Sequence, residues 1–323
     1  MRAIQIREPG GPEVLHEASI DIPGAGPGQL LVKNEWAGVN YIDTYQRSGR
    51  YPMNLPATLG FEGVGTVVEV GEGVAGFSSG DTVSWAWAEG SYAEFVIVPL
   101  EKAAIVPDGI SSEVACAAMM QGITAHYLVT SVYEAKAGDT ALVHAAAGGV
   151  GLLLTQMLAT RGVTVIGTVS SETKADAARA AGAAHVIRYD QEDFLTGVNE
   201  LTAGKKCEVV YDSVGVDTFE GSLQCLAPRA TLALFGAASG PVPPFDLQRL
   251  SALGSIVVTR PTIAHFLRDA EENRWRTQDV FSAILEGTLH ITIAGRYSLS
   301  DAAQAHRDIE SRGMSGKLLL QVE

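Results

Sequence analysis

Three glycines carry the first chemical signal in this sequence. The segment Val143-His144-Ala145-Ala146-Ala147-Gly148-Gly149-Val150-Gly151 follows an apolar run, Thr140–Ala145, that reads as a strand, and it leads into helical spacing over Gly151–Thr160. A dinucleotide's pyrophosphate needs a backbone it can approach without meeting a Cβ. It also needs free N–H groups at a helix N-terminus, where the dipole favours negative charge. Gly148, Gly149, Val150 and Gly151 supply both. Tight packing of helix on strand would ask for the same glycines. The strand before, the helix after and the β-α series beyond favour cofactor binding.

The selector for the ribose lies about 20 residues further on, at the end of the second strand, where a carboxylate suits NAD and a cation suits the 2′-phosphate of NADP. Here the stretch reads Gly167-Thr168-Val169-Ser170-Ser171-Glu172-Thr173-Lys174. Ser170 stands in the acid's place and Lys174 lies one helical turn on, which points to NADPH rather than NADH. Ser170 and Ser171 also suit the cap of the next helix. Glu172 works against a phosphate, and the missing acid outweighs it.

Other reactive residue types read as structural. Cys116, Cys207 and Cys225 are too few for a disulfide framework or a four-thiolate zinc site, and fit small buried residues in a reducing compartment. His144 falls inside a strand as a core histidine. His126 falls on a helix, and His16, His265, His290 and His306 have no carboxylate or cysteine spacing that suggests a site. Trp85 and Trp87, two apart in a strand, point to one face, with core packing the first reading. Arg268 to Arg276, with its acids, reads as a solvated helix face.

These residues need elements to hold them. Residues 1–120 carry short alternating runs between Gly and Pro: Leu30–Lys33, Val64–Val70, Asp81–Ser84 and Tyr92–Val98, with Pro99 and Pro107 closing two runs. That pattern predicts a mostly antiparallel, barrel-like domain. Over residues 121–262 the rhythm becomes β-α: strands at Thr140–Ala145, Val163–Val169, His185–Ile187, Cys207–Asp212, Thr231–Phe235 and Ser255–Thr259, with helices such as Glu172–Ala181 between. Such a series predicts a doubly wound parallel sheet of α/β class. Residues 263–323 hold helix-like segments at Ile263–Leu285 and Ser300–Ser311, with Ser300 as N-cap, and a last strand, Lys317–Val322.

Composition agrees with two globular domains: 323 residues, 46% hydrophobic and 19% charged, with 35 glycines against the usual ~7%. The net charge of −14 disfavours nucleic acid as a partner. Met1-Arg2-Ala3-Ile4-Gln5-Ile6-Arg7 lacks a signal peptide's apolar core, and the apolar stretch 141–169 is broken by Gly148, Gly149, Gly151, Arg161 and Gly162, so no membrane span is expected. The chain reads as cytoplasmic.

Several blocks then resemble, in order, the zinc-free quinone oxidoreductases (the zeta-crystallin group) of the medium-chain dehydrogenase/reductase superfamily. They are Gly38-Val39-Asn40-Tyr41-Ile42-Asp43-Thr44-Tyr45, Arg47-Ser48-Gly49 through Tyr51-Pro52, His144 to Gly151, Tyr211-Asp212-Ser213-Val214-Gly215, Phe235-Gly236 with Ser239-Gly240, and Thr259-Arg260-Pro261. The resemblance implies a GroES-like domain joined to a Rossmann domain, the chain's end returning to the first, with NADPH and substrate in the cleft. It implies Ser170, Lys174 and Tyr189 around the 2′-phosphate and adenine, and Gly148–Gly151 on the pyrophosphate. Thr124, Ser213, Phe235, Gly236, Ser239 and Arg260 would line the remaining cofactor path. Asn40, Asp43, Tyr45, Tyr51 and Gln121 would stand near nicotinamide and substrate, with Lys317 approaching the cofactor. Zinc-dependent members hold metal partly through Gly-His-Glu. This sequence reads Gly60-Phe61-Glu62, lacks the ligand cysteine near Asn40–Tyr41, and has no cysteine before residue 116, so no metal is expected and Glu62 reads as a structural hydrogen-bonding group.

Without a Lewis acid, the protein's task is to position an electrophile against the nicotinamide in a dry site. A quinone needs little electrophilic help, so a small quinone is the expected substrate. Tyr45 and Tyr51 offer flat walls and hydroxyl donors. Reduction of an enone or alkenal double bond is the nearest alternative, and an NADPH-binding protein with an RNA-binding or structural role is the alternative of another class. Kinship and the edge strand Gly254–Thr259 imply a homodimer.

Overall fold

The computed structural model describes residues 1–322; Glu323, the last residue of the C-terminal segment, lies outside them. The chain divides into two compact units. One is Met1–Ile123 together with the chain from Phe266 onward, the other Thr124–His265.

The first unit opens with β1 (Arg2–Ile6), β2 (His16–Ser19) and the long β3 (Gln29–Val39), followed by helix α1 (Tyr41–Arg47). Then come β4 (Ala57–Thr58), β5 (Glu62–Val70), β6 (Thr82–Ala86), β7 (Phe95–Pro99) and β8 (Ala103–Ile105), and α2 (Ser112–Tyr127) leads onward. Strand β3 is the hub, pairing antiparallel with β5 and with β7. Its alternation puts Leu30 and Val32 into a core shared with Val67, Val83, Trp85, Val96 and Val98. Trp85 is fully buried, and its indole N–H donates to Ser91 Oγ at 2.9 Å.

The second unit contains β9 (Thr140–Val143), α3 (Gly149–Thr160), β10 (Thr164–Val169), α4 (Glu172–Ala180), β11 (His185–Arg188), α5 (Phe194–Leu201), β12 (Cys207–Asp212), α6 (Phe219–Gln224), β13 (Leu226–Leu234), α7 (Gln248–Ala252) and β14 (Val257–Thr259). All its strand pairs are parallel, in the order β11-β10-β9-β12-β13-β14. The order reverses between β9 and β12, the point where such sheets leave a crevice for a ligand at the strands' C-terminal ends. The chain then returns to the first unit through α8 (Ala270–Leu285), β15 (Ile293–Ser298), α9 (Ala302–Glu310) and β16 (Lys317–Gln321). Strand β16 pairs antiparallel with β3 and parallel with β15, so the large sheet is mixed rather than wholly antiparallel.

Local expectations fail where a side chain competes for the backbone. Ile263–Leu285 is not one helix: a single turn at Ile263–His265 is followed by α8, which Asp269 caps by accepting the Glu272 N–H at 2.9 Å. Ser300 is not the N-cap of α9; that place belongs to Asp301, and the Ser300 hydroxyl pairs with Ser298. Tyr92 precedes its strand, which starts at Phe95, and Ser255, at φ +57°, precedes β14. Trp87 has left β6 with φ +67°, and its ring stacks on Phe61 at 4.8 Å. Arg276 is buried rather than solvated, donating to Phe266 O and to Glu272. Replacing Trp85 by Ala removes the largest fully buried side chain and leaves the Ser91 hydroxyl with only its bond to Ala88 O; urea unfolding should show a loss of about 3–5 kcal/mol.

Candidate active site

Asn40 follows β3 in extended conformation (φ −132°, ψ 158°) and caps α1, whose third residue, Asp43, reaches back to accept the Asn40 N–H at 2.8 Å. Acids at this position suit the helix dipole. Asn40's side chain does more than close a turn. Its Nδ2 donates to Glu62 Oε1 at 2.8 Å and its Oδ1 accepts from Lys317 Nζ at 2.8 Å. The ammonium of Lys317 also bonds Glu62 Oε1, while Glu62 Oε2 accepts the Met120 N–H at 2.7 Å. Lys317, Glu62 and Asp43 are all fully buried. Burial pushes the Lys317 ammonium down to about 7 and the Asp43 carboxyl up to about 6, each opposed by the other's charge.

A second chain of bonds reaches Asp43 from residues that sequence spacing does not connect. Arg47 pairs with Glu310 at 2.8 Å and directs NH1 to His306 Nδ1 at 3.2 Å. Since a guanidinium only donates, Nδ1 accepts and the ring proton sits on Nε2, 3.2 Å from the Tyr92 hydroxyl. That hydroxyl donates to Asp43 Oδ2 at 2.8 Å, leaving Asp43 Oδ1 buried without a partner. Burial and the Arg47 charge push His306 down to about 3, and burial with the Asp43 charge pushes Tyr92 up.

Tyr45 is half-buried on α1 and packs edge-on against Tyr51 at 5.5 Å; the Arg50 guanidinium lies 4.6 Å from the Tyr45 ring centre. Tyr51 is exposed. The two rings form a wall at the end of the helix that Asn40 begins. Gln121 and Thr124 are half-buried neighbours on α2, Gln121 in the first unit and Thr124 opening the second.

In the second unit, the loop after β9 turns through Ala145 at φ +51°, and Gly148 begins α3 with no side-chain cap. The first intrahelical bond is Leu152 N–H to Gly148 O at 2.9 Å. The N–H groups of Gly149, Val150 and Gly151 therefore belong to the first turn, which has no acceptor of its own. A Cβ on Gly151 would collide with Ala145 O, so the loop closes onto the helix only because that residue is glycine. Ser170 follows β10, and Lys174 Nζ donates to its hydroxyl at 3.3 Å; Ser171 is the true cap of α4, accepting from Lys174 N. Glu172 points instead to Arg179 and Arg188. Tyr189, after β11, is half-exposed.

On the other side of the switch point, Phe235 and Gly236 leave β13 with their N–H groups on Asp212 O. A Cβ on Gly236 would strike Ser213 O. Ser239's hydroxyl serves the loop, donating to Val214 O at 2.8 Å, and Arg260 donates to Leu234 O at 3.0 Å. Beneath the loop, buried His144 bridges Thr168 and Ser222, and Ser222 donates to Asp212. Burial lowers the His144 pKa, in keeping with a packed core histidine. Among the described residues no three His, Cys, Asp or Glu side chains come together as a metal site.

A unit with a mixed sheet whose long central strand runs into Asn40, the cap of α1, and a unit with a parallel sheet carrying a glycine loop at its switch point together define a medium-chain dehydrogenase/reductase. Residues 26–108 match the alcohol dehydrogenase GroES-like domain family and residues 149–278 the zinc-binding dehydrogenase family. The chain is 45% identical to a quinone oxidoreductase of Pseudomonas aeruginosa, covering 99% of each. It is 38% identical to a 2-haloacrylate reductase of a Burkholderia species, covering 98% of each. A mycobacterial protein solved in complex with NADPH superposes with a TM-score of 0.97 at 50% identity, covering 99% of this chain and all of that one. The chain belongs to the quinone oxidoreductases of this superfamily.

The Arg47–His306–Tyr92–Asp43 chain makes a pH prediction. His306 stays neutral in the fold down to about 3, whereas an unfolded histidine protonates near 6.5, so stability is lost as pH falls from about 6.5. Asp43 acts oppositely between about 4 and 6, because the fold retains a proton that the unfolded chain releases. His306→Gln removes only the first effect. The stability of that variant relative to the parent should rise by up to about 1.4 kcal/mol per pH unit below pH 6, measured by denaturant titration at several pH values.

Proposed function

We propose that this chain is a zinc-independent NADPH:quinone oxidoreductase acting on small quinones. The observation that carries the reading is the uncapped glycine turn at the head of α3 together with the Ser170–Lys174 pair at the end of the next strand. The first suits a pyrophosphate and the second a 2′-phosphate. Relatives named quinone oxidoreductases and an NADPH-bound neighbour support it.

NADPH supplies the hydride. The chain's own residues bind and orient. The N–H groups of Gly149 to Gly151 would hold the diphosphate, Lys174 and Ser170 the 2′-phosphate, and Tyr189 the adenine. Tyr45 and Tyr51 present an aromatic wall with hydroxyls able to donate to a quinone oxygen, and the Asn40 cap fixes the helix that carries Tyr45. Phe61 stands where zinc-dependent members place a histidine, stacked on Trp87, and the neighbouring Glu62 is neutralised by the Lys317 ammonium. A positive charge is thus already seated beside that carboxylate. The three cysteines are free and buried, in keeping with a cytosolic site of action, and no described helix is long and apolar enough to cross a membrane.

The kinship with a 2-haloacrylate reductase favours one second reading, reduction of an activated C=C bond. NADPH oxidation should run at least about tenfold faster with 1,4-benzoquinone or 1,4-naphthoquinone than with an enone or 2-chloroacrylate, a barrier difference of ~1.4 kcal/mol. Turnover of the alkenes with silent quinones would reverse the order. The homodimer belongs to the same proposal: β14 is the edge strand of its sheet, with Val257 half-exposed, and such an edge is open to a two-fold partner. Sedimentation at micromolar concentration should give twice the chain mass, and a monomer rejects this.

A further inference from the structure

The end of β10 and the start of α4 hold a charge arrangement that NADPH binding alone does not explain. Glu172 lies two residues beyond Ser170, in the first turn of α4, where the helix dipole favours it but a 2′-phosphate does not. Both of its carboxylate oxygens are occupied. Arg179 NH1 donates to Oε1 at 2.8 Å and Arg188 NH1 to Oε2 at 3.1 Å. These bonds hold the Glu172 carboxyl below the usual range. Arg179 also bonds Asp176 at 2.9 Å, and Arg188 bonds Asp190 at 2.7 Å. Arg188 ends β11 in register with Val169, the residue before Ser170, so the sheet itself brings its side chain to the selector.

We propose that Arg188, seconded by Arg179, is a specificity-determining residue of this chain: by bridging Glu172 it cancels the carboxylate two residues from Ser170 and keeps the site selective for the phosphorylated coenzyme. The inference rests on the reading that this pair takes the 2′-phosphate. A doubly charged phosphate feels a nearby unit charge strongly where the surface is only partly wet. The same exposed ion pairs contribute little to folding. Arg188 therefore acts on the ligand rather than on stability, and it acts through Glu172. Removing Glu172 as well should make Arg188 largely dispensable for the phosphate, since the carboxylate it then still pairs, Asp190, lies beyond Tyr189 rather than beside Ser170.

The test is a fluorescence titration of the purified protein with NADPH and, separately, NADH, at 50 mM and 150 mM salt, beside a thermal melt. Arg188→Gln should weaken NADPH binding by about tenfold, more at the lower salt, with NADH changed by less than about twofold and the melting temperature unmoved. The double variant Glu172→Gln/Arg188→Gln should return NADPH binding to within about twofold of the parent. An unaltered NADPH-to-NADH ratio in Arg188→Gln overturns the proposal while the NADPH reading stands. So does a double variant as weak as the single one, because Arg188 would then contact the phosphate itself rather than compensate Glu172. A parent protein without preference for NADPH overturns the reading of the selector and this inference with it.

Discussion

Burying an ammonium without exposure is among the costlier things a protein interior does, and Lys317 is held there only because Glu62 and Asn40 meet it. Desolvating each charge costs several kcal/mol, which is recovered only with close geometry and with the remaining lone pairs satisfied. The first unit meets those terms. Glu62 accepts from Lys317, Asn40 and Met120, and Asn40 in turn is fixed at the head of α1 by Asp43. One electrostatic requirement thus ties β16, β3, β5, α1 and the Met120 N–H inside α2 to a common point. The aromatic wall of Tyr45 and Tyr51 inherits its position from that point, since Tyr45 rides on the helix Asn40 begins.

The second unit meets a different constraint, a helix whose first turn has backbone donors with no acceptor of their own. An all-parallel sheet aims its strand ends in one direction, and the reversal of order between β9 and β12 leaves room above them. Glycine at 151 lets the loop close onto α3, and glycine at 236 does the same against Ser213 across the switch point. The buried His144–Ser222–Asp212 bonds brace the floor beneath. Rigidity below and open N–H groups above are what a diphosphate cradle requires.

Much of this is legible in the sequence. The β-α rhythm, the Gly148–Gly151 turn and the acid missing at Ser170 are local patterns, and local patterns survive in one dimension. Ends of elements are less legible: Asp269 caps α8 by taking the Glu272 N–H, whereas at α9 the Ser298, Ser300 and Asp301 side chains bond one another and none caps the helix. Trp87 escaped its strand because its ring found Phe61. Arg276 sits among acids in the sequence as a solvated residue would, yet it is buried, because an arginine's burial depends on what lies opposite, here Phe266 O and Glu272.

The sequence by itself determined the two-part architecture, the glycine turn after β9 and the phenylalanine before Glu62, because each follows from residue type at short spacing. Only the tertiary structure decided the partners of the buried charges. Lys317 meets Asn40 across 277 residues, and Tyr92 meets His306 across 214. No periodicity links such positions; they come together because β16 closes on β3 and α9 packs with α1, and the price of an unpaired charge in that interior then dictates who must stand beside whom.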